Sequence, residues 1–168
     1  MSATPFGVIP WSDWATAITA GVTCVSDRDL ARAAAVIRAA EVVLTAGNGG
    51  SASLASHMAQ AVSKPDYASG GGRASVRLTD HTPLFTAHAN DGGWADAMAE
   101  SARPFLSGAH RVVLVAFSSS GKSENVVRLA RLARERGRDV VAFTGFDGDP
   151  LRSLATVSLH VESRDYEV

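Results

Sequence analysis

One cysteine, Cys24, occurs in 168 residues, so no disulfide can close within the chain. A lone thiol fits a reducing compartment, and cytoplasmic residence is the expectation. Neither sign of charge predominates: 16 Lys and Arg face 17 Asp and Glu, for a net charge of −1. That balance excludes a basic nucleic-acid surface and an acidic tail. No apolar run approaches the roughly 20 residues that a membrane span needs. Met1 is followed by neither a basic stretch nor an apolar core, so no secretory leader is expected. Repeats, low-complexity segments and linkers are missing too, and the length suits one domain over 1–168.

Against that plain background stands the stretch 42–63, VVLTAGNGGSASLASHMAQAVS. Val42 to Thr45 is apolar and β-branched and reads as a short buried strand. It breaks at Gly47-Asn48-Gly49-Gly50, where the backbone can take positive φ and approach a ligand closely. Ser51 is the expected N-cap of a helix through Val62, with Leu54, Met58, Ala61 and Val62 on its apolar side. Strand, glycine turn, hydroxyl and helix start describe an anion site. The first N–H groups of the helix and the positive end of its dipole face the same point.

Ahead of this stretch, residues 1–10 carry two prolines and read as an arm. Trp11 to Val25 places Trp11, Trp14, Ile18 and Val22 near helical spacing. Ser26-Asp27 opens a second helix, whose face is Leu30, Ala33, Ala34, Ile37 and Ala40. Beyond the stretch, a loop from Lys64 to Arg73 leads to a strand over 74–78. Thr82 is the expected N-cap, and Pro83 the first residue, of a short helix that stops at Asn90-Asp91-Gly92-Gly93. Helix resumes over 94–101. The run RVVLVAF at 111–117 predicts a strand buried on both faces. It enters Ser118-Ser119-Ser120-Gly121-Lys122-Ser123, and a helix follows to Arg136, closed by Gly137. Strands are expected again at 140–143 and 157–161, with a helical turn at 151–154.

Strands alternating with helices give a parallel sheet with right-handed crossovers. The expected fold is α/β: a three-layer, doubly wound, five-stranded parallel sheet in the flavodoxin-like order 2-1-3-4-5, with an extra N-terminal helix. Its switch point lies between strands one and three, which feed the glycine turn and the serine turn. Both hydroxyl-rich loops should therefore meet at one crevice.

Two nucleotide motifs compete with that reading. Gly47-x-Gly49-x-x-Ala52 matches the dinucleotide fingerprint in form, but no acidic residue ends the second strand at the required spacing. Asp66 falls in a loop, and Asp80 lies too far along. Residues 116–123, AFSSSGKS, are one residue from a Walker A loop, with Ala116 in place of its first glycine. Ala116 lies inside the expected strand, and no later strand ends in an aspartate to hold magnesium. A P-loop NTPase stays as an alternative.

Five blocks in order resemble the sugar isomerase (SIS) domain, in its phosphoheptose isomerase branch. They are AGNGGSA at 46–52, His57 in SHMA, AHANDGG at 87–93, SSSGKSENV at 118–126 and FTGFDG at 143–148. The resemblance implies a phosphorylated sugar as ligand and interconversion of an aldose and a ketose phosphate, sedoheptulose 7-phosphate in this branch. It assigns the phosphate to Ser118, Ser119, Ser120 and Ser123. Asn48, Gly49 and Ser51 would contact the sugar chain, and Asp91 would face it from a neighbouring loop. It also implies a homotetramer with sites shared between subunits. No cofactor is expected, and the charge balance and the lack of a membrane-length apolar run give no expectation of a nucleic-acid or membrane partner.

Enediol chemistry needs a base and an acid beside neighbouring carbons. The family's glutamate base, four residues after the histidine matched by His57, is Ala61 here, with Gln60 one position earlier. Its other catalytic residue is a histidine on a C-terminal helix. That helix is expected to be absent here, with residues 165–168 resembling its approach. Metal-binding relatives use the same missing groups, so no metal is expected. The remaining candidates for proton transfer are His57, on the helix after the glycine turn, and Asp80 and His81, at the ligand edge of the second strand. Two functions follow: a phosphosugar isomerase, or a non-catalytic SIS domain that binds a sugar phosphate or a protein partner.

Overall fold

The computed structural model describes residues 10–64 and 72–165. All but the last residue of the expected arm at 1–10, most of the loop with Asp66, and residues 166–168 lie outside the described residues. Two helices, α1 (Trp11–Thr23) and α2 (Asp27–Ala39), precede β1 (Val42–Ala46). There follow α3 (Gly50–Ser63), β2 (Ala74–Arg77), α4 (Thr82–Gly92), α5 (Trp94–Leu106) and β3 (Val112–Ser118). The chain continues through α6 (Glu124–Glu135), β4 (Asp139–Thr144), α7 (Leu151–Leu154) and β5 (Val157–His160). The strands form one sheet in the order β2-β1-β3-β4-β5, every neighbouring pair parallel. Order and direction are those expected from the alternation of strand and helix.

β3 shows why the sheet is central. All seven of its residues are buried, because helices cover both faces. Val113, Val115 and Phe117 point to the side covered by α2 and α3, where they meet Ala33, Val43, Ala55 and Val141. Val112, Leu114 and Ala116 point the other way, into Met98, Ala102, Val126, Leu129 and Ala130 of α5 and α6. The period-two alternation of a strand thus feeds two separate apolar layers. Each fully buried Val or Leu favours the fold by roughly 1.5–3 kcal/mol relative to exposure.

Helix starts and faces depart from expectation in several places. Ser51 does not cap α3: the N-cap is Gly49, at φ +52, and Ser51 lies in the first turn. Leu54 is 57% exposed, and the buried stripe of α3 is Ala55 and Ala59. The helix packs close to the sheet through small residues, which turns Leu54 and Ala61 outward. Leu30 is likewise exposed, and α2 buries Ala33 instead. Thr82 is the first residue of α4, and His81 occupies the cap position without a side-chain hydrogen bond. Asn90, Asp91 and Gly92 belong to α4, which ends only at Gly93, φ +90. A helix already hydrogen-bonded through Ala89 carries these weak formers along.

Candidate anion-binding site

The two turns expected to converge do so. β1 delivers the chain to Gly47, where a Cβ would collide with the backbone and Cβ of Ser51. Only glycine permits this tight entry into α3. β3 pairs with β1 through Ala46 and Ala116, so the serine turn opens beside the glycine turn. α3 and α6 then begin at neighbouring points, and their unpaired first-turn N–H groups and dipoles favour an anion there. Between them lies a cavity of about 140 Å³, lined by Asn48, Ser51, Phe117, Ser118, Ser119, Ser120 and Ser123. Ser118 is buried at the end of β3 and its hydroxyl lies 3.3 Å from that of Ser123. Five hydroxyls, an amide and two helix starts make a wall that is polar and neutral. It suits a tetrahedral oxyanion.

A larger space of about 390 Å³ adjoins this cavity and shares Ser51, Phe117, Ser118 and Ser119 with it. It runs over the stacked rings of Phe117 and Phe143, whose centroids are 4.6 Å apart, towards Phe146, Val161 and Asp165. The loop after β4 braces the serine turn from this side. Gly145 N–H donates to Ser119 O at 2.8 Å, and Leu151 N–H donates to Gly121 O at 3.2 Å. Gly121 takes φ +69, and a Cβ there would collide with the carbonyl of Gly148. Lys122 reaches back to Asp147 at 3.2 Å, and Arg164 holds the same carboxylate at 3.0 Å. Ala116 is buried in β3, paired with Ala46 and Ala142, so the turn between strand and helix is short. A Walker A loop would start where this chain is still sheet.

Asn48, Ser51 and the four serines of the second turn are brought together; Gly49 stands beside them as the exposed cap of α3. His57, Asp80, His81 and Asp91 do not line either space. His57 is exposed on α3. Asp80 is tied to Arg77 at 2.8 Å and accepts a hydrogen bond from Ser56 at 3.2 Å, which sets it against the helix that carries His57. Asp91 is exposed in the last turn of α4, where Asn90 donates to it at 3.0 Å. Among the described residues no cluster of His, Cys, Asp and Glu could hold a metal ion.

One residue of this region escaped the sequence reading. Asn125, 1% exposed, exchanges two hydrogen bonds with Asn48: Nδ2 of Asn48 donates to Oδ1 of Asn125 at 2.9 Å, and the return bond is 3.0 Å. A signal was present. Asn125, Leu129 and Ala133 share one helix face at four-residue spacing, and a polar residue on a buried face needs a partner.

Residues 16–145 match the SIS domain family. The chain belongs to that family. This SIS domain is 42% identical over 125 residues to the lincomycin biosynthesis protein LmbN of Streptomyces lincolnensis, over 70% of this chain and 45% of that protein. It is 37% identical over 123 residues to a phosphoheptose isomerase of Burkholderia pseudomallei, over 73% of this chain and 61% of the enzyme. It therefore spans less than two thirds of the length of these relatives. Among solved structures, phosphoheptose isomerase GmhA from Neisseria gonorrhoeae aligns with a TM-score of 0.78 at 28% identity, covering 92% of this chain and 85% of that one. Vibrio vulnificus NanR, complexed with ManNAc-6P, shares the fold at a TM-score of 0.62 and 20% identity, over 94% and 52% of the two chains.

Proposed function

We propose that this SIS domain is a phosphosugar isomerase that interconverts an aldose and a ketose phosphate, with sedoheptulose 7-phosphate or a similar ketose phosphate as substrate. The observation that carries the proposal is the convergence of the glycine and serine turns on one neutral, hydroxyl-lined cavity at the switch point of the sheet. In this reading Ser118, Ser119, Ser120 and Ser123 take the phosphate. Asn48, Gly49 and Ser51 hold the near end of the sugar chain, and Asp91 meets its far end. The likeness to phosphoheptose isomerases supports the substrate class. We place the protein in the cytoplasm as a homotetramer whose sites draw on neighbouring subunits.

The chemistry moves one proton between adjacent carbons through an enediol, so a base must take it and return it. Ala61 cannot do so. His57 lies one helical turn before it on the same face. Asp80, held beside that helix through Ser56, and its neighbour His81 approach from the end of β2. We assign the proton transfer to this group. The phosphate cradle then anchors the substrate while the group acts on the carbons at the other end. The test is solvent deuterium incorporation into sedoheptulose 7-phosphate by wild type, His57→Ala and His81→Ala. Exchange in wild type that falls at least about a hundredfold in one of the variants is expected from the scale of general-base catalysis. Equal exchange in all three would remove the histidines from the mechanism.

A second reading has its own observation. No titratable side chain lines the anion cavity, and the residue at the family's base position is an exposed alanine. A domain of this kind would bind the sugar phosphate without turning it over. Binding by wild type with no deuterium exchange selects this reading.

A further inference from the structure

We propose that Asn125 is a positioning residue for ligand binding: its reciprocal amide clasp with Asn48 fixes the orientation of the Asn48 side chain and locks the glycine turn to the serine turn. The inference rests on the reading of the cavity as a phosphate-ester site. It starts from a register problem. A phosphate ester bridging this cavity must meet groups from two turns that lie far apart in sequence, Asn48 and Asn125 being 77 positions apart. Backbone pairing fixes them only as far as Ala46 and Ala116, before either turn begins. Beyond those residues, among the described residues, the side-chain hydrogen bonds joining the first strand–helix turn to the start of α6 are those of the Asn48–Asn125 pair.

The direction of the clasp is dictated by the backbone. Val126 N–H donates to Oδ1 of Asn125 at 3.0 Å, so that oxygen, not the nitrogen, must face the start of α6. With Oδ1 placed, Asn48 has to present its Nδ2 to it and receive the Nδ2 of Asn125 on its own Oδ1. Both lone-pair positions of the Asn125 oxygen are then used, by Asn48 and by Val126. Asn48 keeps one N–H and one lone pair, and it lines the cavity. The start of α6 thus decides, through a residue that itself does not line the cavity, which way a cavity-lining amide points. A flipped Asn48 would bring nitrogen against nitrogen and oxygen against oxygen. Burial of Asn125 makes that mismatch costly, since water cannot replace the lost partners.

The clasp is also selective about charge. An aspartate at either position would keep the shape but lose a donor and add a negative charge beside the phosphate. An amide pair is the form of this bridge that exchanges two hydrogen bonds and carries no net charge. That matches a cradle whose other walls are hydroxyls and backbone N–H groups.

Calorimetric titration with sedoheptulose 7-phosphate tests the proposal on the full chain. The set is wild type, Asn48→Ala, Asn125→Ala and the double variant, each with its melting curve. Asn125→Ala should bind about tenfold more weakly, Asn48→Ala at least as weakly because it also loses a cavity-lining amide, and the double variant no more weakly than Asn48→Ala, because the clasp is already gone there. A further loss of about tenfold in the double variant relative to Asn48→Ala would show independent roles and overturn the clasp. So would a folded Asn125→Ala that binds like wild type. A merely structural residue would lower the melting temperature and leave affinity below the melt unchanged. Asn125→Asp keeps the test open if the alanine variant does not fold. Its carboxylate can accept from Val126 and Asn48 but cannot donate to Asn48, and it adds a negative charge beside the phosphate, so binding should be more than about tenfold weaker than that of wild type at the same pH. Wild-type affinity in a folded Asn125→Asp would overturn the proposal. Failure of wild type itself to bind overturns the phosphate-ester reading and the clasp's role with it, whereas intact wild-type binding with unaffected variants overturns the clasp alone.

Discussion

Gly121 shapes the serine turn through its backbone. It holds positive φ, and its missing side chain is what lets the serine turn rest on Gly148. Gly121→Ala combines a left-handed backbone with a collision against a carbonyl. It should lower stability by at least about 1–2 kcal/mol from the backbone alone. Urea denaturation measures this, and an unchanged midpoint would mean the two loops are not packed as described. Below Gly148 sits His160, whose Nδ1 lies 2.9 Å from Thr144 Oγ1. Its pKa is lowered, first by burial and next by Arg152, against weaker opposing pulls from Glu162 and Asp149. A histidine that is less basic folded than unfolded binds fewer protons in the native state. The stability it lends is therefore whole above its ordinary value near 6.5 and is lost as pH falls through that value. Asp149 is held below its ordinary 3.8, chiefly by the Ser153 hydroxyl, so its contribution disappears only at lower pH. Melting temperature should fall between about pH 7.5 and pH 5.5 in wild type and stay flatter in His160→Asn, since only histidine titrates in that window. Parallel curves would exclude His160 as the cause.

At the scale of elements, α5 and α6 show which forces hold the second layer. Arg128 on α6 hydrogen-bonds both oxygens of Asp96 on α5 at 2.8 Å and also Glu124 at 2.8 Å. These partners raise its pKa, Asp96 foremost. Yet the network is solvent-exposed, and exposed ion pairs contribute little. Beneath it, Met98, Ala102, Leu129 and Ala133 are sealed from water. Met98→Ala should cost about 2–5 kcal/mol, whereas Arg128→Ala should leave the urea midpoint nearly unmoved. Equal effects would mean that the ion network carries the interface. The same contrast explains what could be read from the chain alone. β3 announced itself because a strand buried on both faces must be continuously apolar, and the sheet order followed from strand–helix alternation. Helix faces were harder. α3 buries Ala55 and Ala59, and small residues give a weak pattern, so the bulkier Leu54 drew the face to itself. The serine and glycine turns were visible as composition. Their link was not: the buried face of α6 marked Asn125 as needing a partner, but nothing local pointed to Asn48, 77 positions away.

The whole molecule leaves one element without a place. α1 has little contact with the sheet or the other helices. Trp11 is 77% exposed and Val22 67%, although the rings of Trp11 and Trp14 lie 5.1 Å apart and shield each other in part. A 13-residue helix is marginal in water without tertiary support, and aromatic side chains bury roughly 150–250 Å² each when they find a partner. Leu30, Leu54 and Trp94 add further exposed apolar surface. A second observation points the same way. The cavity proposed to hold the anion is lined by Asn48, Ser51 and the serine turn, while His57, Asp80, His81 and Asp91 stand outside it. A closed, symmetric assembly would account for both, covering α1 and bringing a neighbour's groups to each cradle. Sedimentation at micromolar concentration should give a mass above that of the monomer. Trp11→Ser with Trp14→Ser should shift the protein towards monomer while leaving the fold of each chain intact by circular dichroism. If sites are shared, the dissociated variant should keep sugar-phosphate binding at the cradle and lose isomerisation. A wild-type monomer would dismiss the assembly. A monomeric variant with full activity would instead place every catalytic group on one chain, and the proton-transfer residues would have to be sought around the larger space beside Phe143 and Asp165.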